Sequence, residues 1–361
     1  MKFVYLDNNS TAPPSLVVRK RVAEALSEDG FGNASSPNAP GARARQRIEA
    51  ARDAVAALTG ADPYQVLFTS GCTEGNNIVL RSALESPRRL ITTRTEHSSV
   101  EEVATWLEEL GVEVVRLSGT DGRVSLDDLC AALDKPASLV SVQWANSETG
   151  VLQPISEIAR RCRQAGVPFH VDAAQAVGRE HIEFDALGLD YLTFSGHKLH
   201  APQGVGALIA RRTEALPQLL RGGDQESGRR AGTENLPGIA GLAAACQERA
   251  EGFQDAVSHM QRLRDRFEAS VLESVPGARV NAGTAPRVCN TTNILFSIEG
   301  QALMAQLAAA NVICSQTSAC SSRSPEPSKV LTAIGLSRDE AYGRVRFSFS
   351  AMNSERDVET G

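Results

Sequence analysis

Short apolar runs alternate with charged segments of helical period through the first two-thirds of the chain, and no other feature restricts the fold as much. Strand-like runs fall at residues 65–69, 90–93, 112–117, 139–144, 168–171, 189–194 and 206–209. Between or before them, residues 41–58, 99–110, 126–133 and 155–166 carry apolar and alanine positions at helical spacing. This alternation predicts an α/β fold of βαβ units around a mostly parallel, seven-stranded sheet with helices on both faces. In such sheets ligands bind beyond the carboxyl ends of the strands.

The last third reads differently. Residues 238–272 predict one long charged helix, followed by shorter strands at 292–297 and 344–349. A chain of 361 residues suits about two domains. The expected division is a large domain over 15–245 and a smaller α+β domain made of 1–14 and 246–361. Residues 354–361 resemble a capped helix start with no helix after it.

Composition narrows the function. A net charge of -6 without a basic stripe argues against nucleic-acid binding. No apolar stretch of about 18 residues offers a membrane span, and the first residues lack a signal peptide's apolar core, so the cytoplasm is the expected compartment. Seven cysteines, at 72, 130, 162, 246, 289, 314 and 320, show no Cys-x-x-Cys spacing and predict neither a disulfide framework nor a zinc site. Most are expected to be small buried hydrophobes.

Polar clusters follow five of the strand-like runs: Thr69-Ser-Gly-Cys-Thr-Glu74, Thr95-Glu-His-Ser98, Asn146-Ser-Glu-Thr-Gly150, Asp172-Ala-Ala-Gln175 and Ser195-Gly-His-Lys198. Lys198 stands at a strand end, where lost solvation lowers an amine's pKa and suits it to Schiff-base chemistry; the plain alternative is a lysine that snorkels to the surface. Residues 70–73 precede a helical stretch and offer N–H groups and hydroxyls to an anion, or form an ordinary capped turn. Asp172 places a carboxylate on the same rim, where a pyridinium nitrogen is a suitable partner. An anion cradle, a carboxylate and an amine are the three groups that pyridoxal phosphate (PLP) requires.

These segments, with Arg230-Ala-Gly-Thr-Glu-Asn235 and Ser318-Ala-Cys-Ser-Ser322, together resemble the cysteine desulfurases of the class V aminotransferase-like PLP enzymes. The match runs in order from Tyr5-Leu-Asp-Asn-Asn9 to Arg346-Phe-Ser348. The resemblance implies PLP fold type I and a homodimer. It implies that Lys198 carries the cofactor, Asp172 pairs with its pyridine nitrogen, Gln175 reaches its ring hydroxyl and His97 stacks on it and moves protons. Cys72 would contact the cofactor, and Thr73, Ser195 and His197 would hold its phosphate, with Thr233 reaching that of the neighbouring subunit. Ser147 would lie near the ring hydroxyl, and Asn146 and Arg346 would bind the carboxylate of L-cysteine.

Cys320 lies in a run of small, polar and proline residues, whereas Cys314 follows Val312-Ile313 and is expected to be packed. Ser-Ala-Cys-Ser-Ser resembles the branch whose long catalytic-cysteine loop hands sulfur to an acceptor, such as an iron–sulfur scaffold protein. The implied reaction converts L-cysteine to L-alanine and leaves a persulfide on Cys320. Three positions depart from the family: Ser147 replaces a usual asparagine, Asn38 a common histidine and Ser227 a frequent arginine. A selenocysteine lyase, an aminotransferase or a low-activity scaffold on the same fold are the alternatives, and an aminotransferase has no use for Cys320.

Overall fold

The computed structural model describes residues 3–316 and 327–361. The strands of the described residues are β1 (Val4–Tyr5), β2 (Val66–Thr69), β3 (Arg89–Thr93), β4 (Glu113–Leu117), β5 (Leu139–Gln143), β6 (Phe169–Asp172), β7 (Tyr191–Ser195), β8 (Gly206–Ala210), β9 (Arg279–Val280), β10 (Thr291–Leu295), β11 (Val312–Ile313) and β12 (Arg344–Ser348). Strands β2 to β8 form one sheet in the order β2-β8-β7-β6-β5-β3-β4. They are the seven expected strands, each starting within two residues of its expected position. Strand β8 runs antiparallel to both its neighbours and the other pairs are parallel, so β8 alone opposes the remaining six.

Burial explains why these segments were legible. Every residue of β2, β5 and β8 is buried, the pattern of strands covered on both faces. On one face, helices Ala39–Thr59, Ile155–Ala165 and Leu236–Glu251 bring Ile48, Val55, Ile158 and Leu242 against Val142, Val171 and Leu192. On the other, helices Cys72–Leu80 and Ser98–Glu109 bring Ile78, Val79 and Leu107 against Leu67, Leu90 and Leu208. Edge strand β4 exposes Glu113, and its Arg116 pairs with Glu101 and Glu108; charge on an edge discourages pairing with another chain.

A second, antiparallel sheet has the order β12-β10-β9. Helix Phe253–Ser274 covers it, with the Phe267 ring 4.7 Å from Phe347 and 5.6 Å from Phe349. Val345 and Phe347 point into this core, which leaves Arg344, Arg346 and Ser348 on the opposite face of β12. Strand β1 joins the same core by pairing with β11.

Two expectations change. The single helix over 238–272 is two helices that meet at Gly252, whose φ of -108° and ψ of 21° leave the helical region. Leu242 belongs to the core of the large sheet and Leu263 to that of the small one, so one straight helix cannot serve both. The chain end does form a helix, Glu355–Thr360, with Ser354 in a capping box with Asp357 and Val358 buried in the small core. Cys130 is exposed, with Sγ 3.2 Å from Arg161 Nε, while Cys72, Cys162, Cys246 and Cys289 are buried and Cys314 is half-buried. No helix among the described residues is long and apolar enough to cross a membrane.

Candidate active site

Because β2, β3, β5, β6 and β7 share a direction, their carboxyl ends meet on one rim around a cavity of about 290 Å3. Its wall takes Cys72 and Thr73 from beyond β2, His97 from beyond β3 and Ser147 from beyond β5. Asp172 and Gln175 come from the end of β6, Ser195, His197 and Lys198 from the end of β7, and Arg346 from β12 of the small sheet.

The first turn of helix Cys72–Leu80 builds an anion cradle. Its cap, Gly71, has φ of +154°, and a Cβ there would lie 3.1 Å from Ser195 Oγ. Cys72 N–H donates to Ser195 Oγ at 2.8 Å, so the hydroxyl is held at the positive helix end. The acidic residue of this turn, Glu74, accepts from Ser70 N–H at 2.7 Å and pairs with Arg230 at 2.8 Å. His197 sits beside the cradle with Nδ1 3.1 Å from Thr11 Oγ1. Burial, then the adjacent Lys198 charge, push its pKa down to about 4, so the ring is neutral near pH 7.

Asp172 is buried and its carboxylate is fixed from three sides. Cys72 Sγ approaches Oδ1 at 3.2 Å, Ala174 N–H donates to Oδ1 at 3.0 Å, and Asn76 Nδ2 donates to Oδ2 at 2.8 Å. Burial and the neighbouring carboxylate drive the Cys72 thiol well above its ordinary pKa, which keeps it a neutral donor. His97 caps helix Ser98–Glu109 through Nδ1, which accepts from Ser99 N–H at 3.1 Å.

Lys198 ends a 3₁₀ turn after β7. Its amine donates to the Asn9 carbonyl and to the Ser10 carbonyl at 2.7 Å. Gln175 Nε2 donates to Asn9 O at 3.2 Å and its oxygen accepts from Arg179. Arg346 is 1 % exposed. Its Nη2 donates to Asp7 Oδ1 at 2.6 Å and Ser10 Oγ at 2.8 Å, and Nη1 to Ser147 O at 3.0 Å, while Nε has no partner. A buried guanidinium with an unmet donor on a cavity wall is suited to a carboxylate ligand. The donor set fits PLP: an anion cradle at a helix end, a fixed carboxylate and an amine share one cavity.

Other expected residues fall elsewhere. Asn146 does not line the cavity, because its amide is consumed locally: Nδ2 donates to Thr95 O, and Oδ1 accepts from Glu148 N–H and Thr149 N–H at 2.9 Å each. It shapes the turn that carries Ser147. Thr233 is exposed and outside the cavity wall of its own chain. Asn38 is the exposed N-cap of helix Ala39–Thr59, and Ser227 is exposed in a turn at φ +55°; neither lines the cavity. Cys320 lies outside the described residues.

Sequence pattern does not single out Asp7, Asn9, Ser10, Asn76, Glu96 or Ser99, yet all six belong to the site or its supports. Asn76 has a visible signal, a polar residue four positions after Cys72 in an otherwise apolar helix face. Glu96 is a fully buried carboxyl whose oxygens accept from Thr93 and from Gln143 N–H. Burial pushes its pKa up to about 8.

Residues 4–360 match the family model for aminotransferase class-V. A cysteine desulfurase of Nostoc sp. (strain PCC 7120) is 42% identical over 364 residues, covering 99% of this chain and 91% of that relative. A solved NifS-like protein superposes with a TM-score of 0.91 at 32% identity, covering 99% of this chain and 96% of its own. A second solved structure, SspA in complex with cysteine, gives 0.86 at 32% identity over 97% of this chain and 99% of its own.

Proposed function

We propose, for a chain that belongs to the aminotransferase class-V family and to its PLP-dependent cysteine desulfurases, that the rim cavity binds L-cysteine and passes its sulfur to Cys320. The observation that carries this reading is the meeting of Lys198, Asp172, the Gly71 to Thr73 turn and Arg346 in one cavity.

When bound, PLP supplies an electron-withdrawing ring that makes the substrate's Cα proton acidic. The chain's residues do the rest. Arg346 takes the substrate carboxylate, while Asp7 and Ser10 keep the guanidinium from turning. Lys198 holds the cofactor through its amine and accepts the proton released at Cα. Asp172 stabilises positive charge on the pyridine nitrogen, and Ser195, Thr73 and His197 hold the phosphate. His97 moves protons to and from the substrate.

The thiolate of Cys320 then attacks the substrate Sγ. A bond forms between the two sulfurs, the substrate's Cβ–Sγ bond breaks with its electron pair staying on carbon, and protonation at Cβ together with return of the Lys198 proton to Cα gives alanine. Cys320 is left as a persulfide for transfer to an acceptor, either an iron–sulfur scaffold or a thiolation enzyme. We assign the protein to the cytoplasm and to a homodimer in which the exposed Thr233 completes the partner's phosphate site.

Mass spectrometry of the purified protein after addition of cysteine is the direct test. One extra sulfur on the peptide that carries Cys320, with alanine in solution, is the expected result, and Cys320→Ala loses both. Sulfur transfer to an acceptor that survives Cys320→Ala excludes this role.

A further inference from the structure

We infer that Asn76 is a positioning residue that orders the protons across the site: its amide donates to Asp172 on one side and, through Ser99, holds His97 with Nδ1 as an acceptor and its ring proton on Nε2. The inference rests on the reading of Asp172 and His97 as cofactor-facing groups.

Asn76 lies one turn into helix Cys72–Leu80 and has no solvent exposure. Its Nδ2 is 2.8 Å from Asp172 Oδ2 and 2.9 Å from Ser99 Oγ, which uses both amide hydrogens. Its Oδ1 accepts from the Thr193 hydroxyl at 2.6 Å. The reversed amide would press its oxygen against a carboxylate that has no proton to give, so the orientation is fixed by chemistry.

The order propagates in both directions from there. With its proton committed to Asn76, Thr193 Oγ1 accepts from His170 Nε2 at 3.1 Å, and His170 Nδ1 accepts from the Ser141 hydroxyl at 2.9 Å. Ser141, His170 and Thr193 are fully buried, so bulk solvent cannot invert the chain. Burial, opposed by the Asp172 charge, lowers the His170 pKa to about 4, in keeping with a ring that carries one proton. On the other side, Ser99 Oγ has accepted from Asn76 and turns its own proton to His97 Nδ1 at 2.9 Å. The Ser99 N–H meets the same nitrogen at 3.1 Å. With two donors facing it, Nδ1 is an acceptor, and proton transfer at His97 runs through Nε2.

The test is a long-range proton–nitrogen correlation spectrum of protein carrying 15N-histidine, recorded with PLP bound and again after its removal. His97 and His170 are both expected as Nε2–H tautomers in each state; His97 found as Nδ1–H overturns the inference. Ser99→Ala is expected to lower the His97 tautomer ratio about fivefold, the weight of one hydrogen bond. An unchanged ratio breaks the proposed link. Asn76→Ala is expected to lower the ratio as well and to weaken PLP binding about tenfold, a hydrogen bond to a charged group being the stronger kind; should that variant not fold, the wild-type and Ser99→Ala spectra decide alone. Absence of alanine formation from cysteine would sink the proposed reaction and leave the tautomers untouched, so the two failures are distinguishable.

Discussion

Glu96 sits at the residue scale as a carboxyl with no cation paired to it among the described residues, in a site that already holds Asp172. Its pKa in the folded chain is about 8, against 4.5 for the free group, so the folded state keeps a proton that the unfolded chain has released. The stabilisation this gives is full below pH 4.5 and is lost as pH rises through about 8. Glu96→Gln is expected to flatten that decline, which for one such group amounts to roughly a few kcal/mol. Urea unfolding at a series of pH values measures it; parallel curves for the two proteins would show that Glu96 is not the group responsible. Nothing in Thr95-Glu-His97 marks this glutamate as buried, because the covering strand β5, whose Gln143 N–H faces its oxygens, is distant in sequence.

At the scale of elements, the strands were legible because burial on both faces demands continuous apolar runs, and β5 and β8 have them. The two helices joined at Gly252 were not, because the charge pattern and helical period continue across the break. Only the existence of two separate cores requires the bend. The turn between β2 and its helix carries the sharpest prediction at this scale. Gly71→Ala forces a positive φ on a residue with Cβ and crowds Ser195 Oγ, a cost of about 1–3 kcal/mol. PLP affinity, followed by absorbance during dialysis, is expected to fall roughly tenfold or more, with secondary structure unchanged by circular dichroism. Wild-type affinity in this variant would mean that the cradle does not depend on that turn.

For the whole molecule, Asn9 ties the two sheets to Lys198. Its carbonyl accepts from Gln175 and Lys198 at the large sheet. Its side chain donates to Ser147 O beyond β5, and at the small sheet it donates to Thr291 Oγ1 and accepts from Asn290. Asn9→Ala removes the three side-chain bonds and leaves those of the carbonyl in place, and global stability of the cofactor-free protein is expected to drop by about 1–3 kcal/mol in urea unfolding. A loss within error would show the junction to be held elsewhere. Five of the strand-end clusters were readable as one site because strands of one direction deliver their carboxyl ends to one rim, whatever the tertiary detail. By itself the sequence determined the seven-stranded sheet, the positions of Lys198, Asp172, His97 and the Cys72 turn, and the family. Tertiary structure alone decided that Arg346 reaches the rim from a second sheet, that the Asn146 amide is consumed by its own turn and by Thr95 O, and that Asp7, Asn9 and Glu96 belong to the site or its supports. The reason is physical: strand direction and burial are written in local periodicity, whereas a hydrogen-bond partner or a desolvated charge exists only once remote segments have been packed together.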